Sequence, residues 1–423
     1  MHGQLYFTTL LFLAAMATTT AQQPTAPAPA AEVGYAKARG KFYVYGGRTG
    51  PAANAVTGQF FELDLTKPWK ADAPAWSQLP AGPKKTRVFM AMSTDGKKLI
   101  VNAVDDCSAT HYSGATKTWT VQEGSPWRCL SRMDPFLVTV EPTNTAIFVE
   151  SDDTMGNTWY TDYQFPNDMS TGSWQIPPFG GMGGVDYLPS RGHYKAGWSK
   201  QLASIVVYGG LSIPSTASIN QWVSLFDPKS KQWKTLKTTG ANEKTSVDHC
   251  VAVTDGGKRL FSYGGRVAGT GPYRSTLYIL DLTTGVWTEG ANSGKPRGAA
   301  ACVATNDHFI VWGGMDKDGN VADAGKPSAP VMIYQIAQDK WVTDFDKPST
   351  PPSSDDGSGE SSSDEEPDSP TSNKSSSSSS NVGGVVGGVF GALAVIGAAL
   401  GFFWWRRKQQ RKISSDKYWY GNY

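Results

Sequence analysis

Short hydrophobic runs that end in paired glycines recur along the chain, at Tyr43 to Gly47, Val206 to Gly210, Phe261 to Gly265 and Ile310 to Gly314. Each is followed by a second strand-like segment, a turn and a tryptophan. In the clearest copy, Leu260 to Gly265 leads to Leu277 to Leu282, then Thr283-Thr284-Gly285, then Trp287. Runs of this length, rich in aliphatic and aromatic residues and bounded by Gly, Thr, Asp and Pro, predict β-strands joined by tight turns. The matching tryptophans of the other copies are Trp76, Trp233 and Trp341. Between the first and second Gly-Gly pairs two weaker copies fit, Leu99 to Ala103 with Trp119 and Ile147 to Glu150 with Trp174.

Six copies thus span residues 33–345 at a period of about 50 residues, a unit of four strands that cannot bury both faces alone and is stabilised by stacking in a ring. Paired glycines let the chain leave an inner strand through conformations that side chains disfavour, and let a neighbouring backbone come close. The regular tryptophans are expected to fill the wedge between units. Trp127, Trp159, Trp198 and Trp222 lie outside the regular slots. On these motifs, which cover about three quarters of the chain, the sequence resembles kelch-repeat proteins, of the propeller group that includes the central domain of galactose oxidase. The resemblance implies an all-β propeller of six blades, each of four antiparallel strands.

Composition divides the rest. Residues 1–21 read as a signal peptide, with an apolar run from Leu5 to Ala17 and small residues Thr19-Thr20-Ala21 before Gln22. Residues 22–32 are a Pro/Ala-rich linker, and residues 346–381 a stalk rich in serine and acidic residues with too little apolar surface to fold. Asn373, in the Asn-Lys-Ser triplet of that stalk, is a glycosylation acceptor sequence. Residues 382–405 contain no charged residue, long enough to cross a hydrocarbon layer, and Arg406-Arg407-Lys408 follow at once. Positive charge on the trailing side places the basic tail, 406–423, in the cytoplasm and the repeats outside, as a single-pass type I plasma-membrane protein. Gly383, Gly387 and Gly391 repeat on one face of that span, the spacing at which two helices pack closely into a homodimer. A formal charge of +2 gives no bulk attraction to nucleic acid.

Four cysteines in a secreted domain allow two disulfides. Cys107 and Cys129 fall within one repeat and are expected to be bridged; Cys250 and Cys302 occupy equivalent inner positions of adjacent repeats, where a bridge and two buried thiols both fit. In a ring of this kind the loop before each inner strand and the loop after Gly-Gly share one mouth. Arg87, Arg191, His193, His249 and Arg297 fall on the first set of loops; Arg48, Arg266, Asp316 and Asp318, with Asp105, Asp106, Asp152 and Asp153, on the second. The arginines either receive an anionic ligand or pair with aspartates across blades. The glycine-rich stretch 177–187 is either a mobile lid or an inert insertion.

The resemblance to galactose oxidase brings an oxidase reading with it, through a copper held by two His and two Tyr. His111, His193, His249 and His308 are the only histidines past the leader, and none follows a tyrosine as in that family's Tyr-His pair. The expectation is therefore a binding protein with no cofactor and no metal, recognising a protein or glycan at the propeller mouth. An extracellular copper-radical oxidase and a purely structural surface protein are the alternatives.

Overall fold

The computed structural model describes residues 26–346 apart from 53–54, 105, 123–135, 152–157, 166–173, 176–190, 213–222, 242–245, 268–270 and 325–328. The leader, the stalk with Asn373, the expected membrane span and tail, Cys129 and the 177–187 stretch lie outside the described residues. Among the described residues no helix is long and apolar enough to cross a membrane.

The fold is an all-β propeller. Sheet 1 is built from Gly34–Ala38, Lys41–Tyr45, Phe60–Asp64 and Trp76–Leu79, and sheet 2 from Val88–Met92, Lys98–Ala103, Asp106–Ser113 and Thr118–Gln122. Sheet 3 comprises Phe136–Val140, Thr145–Ser151, Thr158–Gln164 and Trp174–Gln175, and sheet 4 Lys195–Ser199, Ser204–Tyr208, Val223–Asp227 and Gln232–Leu236. Sheet 5 holds Ser246–Val253, Arg259–Val267, Leu277–Asp281 and Val286–Gly290, and gains Thr239–Gly240 as a parallel outer strand. Sheet 6 consists of Ala301–Ala304, His308–Trp312, Met332–Gln335 and Lys340–Val342.

The first strand of each sheet packs against the first strand of the next in cyclic order, and that of sheet 6 returns to sheet 1. Every expected repeat coincides with one sheet, because each middle strand is apolar on both faces. Ser204–Tyr208 and His308–Trp312 are buried at every position, as a strand sandwiched between neighbouring sheets must be. Outer strands alternate instead, buried at Trp233 and Trp287 and exposed on either side of the latter.

The paired glycines carry the stacking. All eight have positive φ, from 69° at Gly46 to 97° at Gly47, a region costly for other residues. The second glycine of each pair donates its N–H to the carbonyl of the segment approaching the next inner strand: Gly47 to Lys85, Gly210 to Ser246, Gly265 to Arg297 and Gly314 to Ala30. The last of these bonds closes the ring. A Cβ at Gly264 would stand 2.2 Å from the Arg297 carbonyl oxygen, and one at Gly313 2.3 Å from that of Ala30.

Four of the regular tryptophans meet the aromatic residue that precedes Gly-Gly in the previous sheet. Trp119 lies 4.8 Å from Tyr45, Trp287 4.7 Å from Tyr208, Trp341 5.3 Å from Tyr263 and Trp76 5.8 Å from Trp312. The wedge-filling role expected for these tryptophans is thus the observed one. Ring closure is reinforced where Asp344–Phe345 pairs with Trp69–Lys70 and the Phe345 ring stacks on Trp69 at 4.7 Å.

Cys250 and Cys302 form a disulfide between the inner strands of sheets 5 and 6, with Cα atoms 6.0 Å apart. This settles which of the two states read from the sequence holds. Cys107 lies on a described strand, but its expected partner Cys129 lies outside the described residues.

Candidate functional site

The register of the inner strands defines an equivalent position in the four Gly-Gly sheets. Gly34 faces Tyr45, Lys195 faces Tyr208, Cys250 faces Tyr263 and Ala301 faces Trp312, and each partner immediately precedes Gly-Gly. Two residues before each inner-strand member stand Glu32, His193, Asp248 and Ala299, at φ 59°, 59°, 58° and 48°. Non-glycine residues in the left-handed region are uncommon, and their repetition at one rim marks it as a candidate site. The residue after each Gly-Gly, namely Arg48, Leu211, Arg266 and Met315, belongs to the same rim.

In sheets 1 and 5 these two positions form matching acid–base pairs. Arg48 Nη2 lies 3.6 Å from Glu32 Oε1, and the Thr86 hydroxyl donates to Glu32 Oε2 at 2.7 Å. Arg266 Nε lies 3.2 Å from Asp248 Oδ2, which also accepts a hydrogen bond from the Tyr273 hydroxyl at 3.1 Å. The Arg266 guanidinium sits over the Tyr273 ring, 5.1 Å from its centre, where the ring quadrupole favours a cation. Burial, with the Asp248 carboxylate beside it, holds the Tyr273 phenol well above its ordinary pKa, so it remains a donor.

Sheet 6 lies between these pairs and carries no charge at the two positions. Ala299 and Met315 fill them, and Met315 Sδ accepts from Arg48 Nη2 at 3.4 Å and lies 4.0 Å from the Tyr273 hydroxyl. Ala31, Tyr273, Met315 and Val321 pack as one apolar cluster. The Tyr273 ring occupies the space of a missing side chain, since a Cβ at Gly298 would be 2.1 Å from it. The result is a buried apolar cluster flanked by two ion pairs.

The residues expected at the mouth divide accordingly. Arg48 and Arg266 reach the rim but pair within their own sheets rather than across sheets. Arg297 is 9% exposed and ion-paired through Nη2 to Asp323 Oδ2 at 3.1 Å, again within its sheet. His249 is fully buried and does not present its ring to solvent. Burial, aided by Lys195 and Arg274, lowers its pKa to about 3, so it is neutral. Arg87 and His193 are half-buried at positive φ beside their inner strands.

Asp316 shapes a turn, its Oδ1 accepting from the backbone N–H of Asp318 and Asn320, both at 3.0 Å, and Asp318 pairs with Lys317. Arg191 lies on the short strand Arg191–Gly192 that pairs with Leu211–Ser212. The side chains of Arg191 and Asp106, with residues Asp105, Asp152 and Asp153, lie outside the described residues.

Sequence reading missed Glu32, Asp248, Tyr273 and Asp323. Glu32 and Asp248 had a usable signal, a carboxylate two residues before the partner of the pre-glycine aromatic. Tyr273 and Asp323 stand in irregular loops where no period applies. Among the described residues no group of three or more His, Cys, Asp and Glu gathers to hold a metal.

Residues 151–361 match the KLHDC2/KLHL20/DRC7 kelch-repeats domain family. Among solved structures the chain is similar to one described as "Structure of YjhT", at 12% identity and a TM-score of 0.51, covering 75% of this chain and 98% of that one. That likeness concerns the fold alone. No curated protein matches the chain.

Proposed function

We propose that this kelch-repeat propeller is the six-bladed ligand-binding ectodomain of a single-pass type I surface protein, and that it recognises a protein or glycan through the rim holding Glu32–Arg48 and Asp248–Arg266. Kelch propellers commonly serve as protein-binding scaffolds, which suits a binding role without catalysis. The observation that carries the reading is the rim itself. Equivalent left-handed positions hold two partly exposed ion pairs around the packed Tyr273–Met315 cluster, and charges held in fixed geometry on a rigid support favour specific recognition. The arginines are neutralised in place, so the surface suits a partner of mixed charge better than a polyanion.

The location rests on the apolar segment 382–405 with its trailing basic residues, the leader, and the Asn373 sequon. The Cys250–Cys302 disulfide adds support, because such bridges persist in oxidising compartments. The test is affinity capture from cell surfaces with the native chain and with an Arg48→Glu/Arg266→Glu variant. The native chain is expected to retain a partner that the variant loses while keeping the same melting temperature; equal capture by both would reject the rim as the binding surface.

A further inference from the structure

On the face opposite that rim, the turns of sheets 1 and 2 enclose a cleft of about 260 Å³. Arg39, Lys41, Lys97 and Lys117 line it against only two carboxylates, Glu62 and Asp95. Both carboxylates are already engaged. Lys41 pairs with Glu62, and Asp95 Oδ1 accepts from the Ser93 hydroxyl at 2.6 Å and the Lys97 backbone N–H at 3.0 Å. Arg39, Lys97 and Lys117 are left without a carboxylate in ion-pair range among the described residues. Arg39 and Lys117 are held at φ 48° and 58° in their turns, a conformation that such residues adopt only under constraint.

The inner wall supplies one open phenol, since that of Tyr43 already donates to Glu62. Tyr112 is 4% exposed and lines the cleft, and its hydroxyl has no hydrogen-bond partner among the described residues. Burial, then the nearby Glu62 carboxylate, raises the pKa of Tyr112, and the same influences raise that of Tyr43 beside it. Both phenols therefore keep their protons at neutral pH. A phenol donor with no protein acceptor, lining a pocket with surplus positive charge, matches an oxyanion. The volume lies just below the usual range for small-molecule sites, which suits one small ligand and not a polymer stretch.

We infer that this cleft is a second ligand site, which takes a single sulfate or phosphate monoester group, with Arg39, Lys97 and Lys117 as counter-charges and Tyr112 as hydroxyl donor. It is independent of the rim on the opposite face. The test follows the melting temperature of the full chain while inorganic sulfate, inorganic phosphate, glucose 6-sulfate and glucose 6-phosphate are each titrated at ionic strength held constant with chloride. A saturable rise with at least one probe is expected, and the preferred ester identifies the source of the anion. Arg39→Gln/Lys117→Gln should weaken the response at least tenfold, and Tyr112→Phe several-fold, with the unliganded melting temperature of the exposed double variant unchanged. No saturation with any of the four probes, or an undiminished response in the double variant, would overturn the site.

Discussion

Sheets 1, 4, 5 and 6 join their successors through a backbone hydrogen bond from the second glycine of Gly-Gly, whereas by strand register sheets 2 and 3 carry Ala103-Val104 and Glu150-Ser151 there. At the junction of sheets 2 and 3 side chains make the link: the Thr139 hydroxyl donates to the Met92 carbonyl at 2.7 Å, and Asn144 Oδ1 accepts from the Thr94 N–H at 2.8 Å. Between sheets 3 and 4 the Tyr194 hydroxyl donates to the Val149 carbonyl at 3.3 Å, and Lys200 pairs with Glu141 at 2.7 Å. Apolar packing continues across both, with Phe148 against sheet 2 and Trp233 in one cluster with Phe136 and Ile147. Glycine pairs are thus one way to stack sheets, by backbone approach; where side chains fill the gap, the link passes to hydroxyls, amides and ion pairs.

The largest effect expected from this contrast is at Trp287, 1% exposed against Tyr208 at the junction of sheets 4 and 5. Trp287→Ala should cost about 4 kcal/mol, the range for a large aromatic removed from a packed interior. Denaturant unfolding of the variant measures it. A loss below about 1 kcal/mol would mean that the backbone bond from Gly210 carries this junction alone.

Gly264→Ala addresses the backbone bond directly. The new methyl would lie 2.2 Å from the Arg297 carbonyl oxygen and 3.4 Å from that of Arg274, on a backbone at φ 71°. Strain and displacement together predict a loss of about 3 kcal/mol. Asn102→Ala, at the place in sheet 2 that Tyr263 holds in sheet 5 just before its glycines, removes the acceptor for the Ala103 N–H and should cost about 1 to 2 kcal/mol. Equal losses in parallel unfolding curves would erase the distinction between the two kinds of junction.

The repeat was legible because its physics is periodic: a middle strand apolar on both faces, glycines wherever backbones touch, and a tryptophan for each wedge. Copies at Leu99 and Ile147 could be placed without their glycines since their strands keep the apolar run. The site was less legible. Arg48 and Arg266 could be put at the mouth by their offset from Gly-Gly, yet their partners Glu32 and Asp248 come from the opposite side of a strand pair, a relation visible only once the register is known. His249 follows the same offset rule but turns inward, because a Cβ at Gly209 would lie 2.3 Å from its ring and only a glycine there makes room for it. The cleft near Tyr112 joins turns of two separate repeats, so no spacing within either one announces it.

His249 gives the comparison a pH dependence, since its ring is packed edge-on to Tyr208 at the junction of sheets 4 and 5. Its folded pKa of about 3 lies below the ordinary 6.5, so the unfolded chain binds the proton more readily. Stability from this group is complete above about pH 6.5 and falls as the pH drops toward 3, by about 2 kcal/mol from pH 6.5 to pH 5. Buried His308 and His111 are lowered by burial too and act in the same direction. His249→Phe should flatten the unfolding free energy between pH 6.5 and pH 5, a window above the titration of most carboxylates; an unchanged slope would assign the dependence to the other two histidines.

The smallest effect belongs to the junction of sheets 3 and 4, where Lys200 and Glu141 meet at 2.7 Å with their side chains 49% and 44% exposed. Water screens such a pair and both side chains lose rotamer freedom on pairing, so its coupling should be about 0.5 kcal/mol. A double-mutant cycle with Lys200→Met and Glu141→Gln isolates that term from the Tyr194 bond and the Trp233 cluster nearby. The coupling should shrink toward zero in 1 M salt, where charges are screened within about 3 Å. A salt-insensitive coupling above about 1.5 kcal/mol would mean that this exposed pair takes over the work of the missing glycine bond, and that junctions without glycine pairs depend on charge more than on packing.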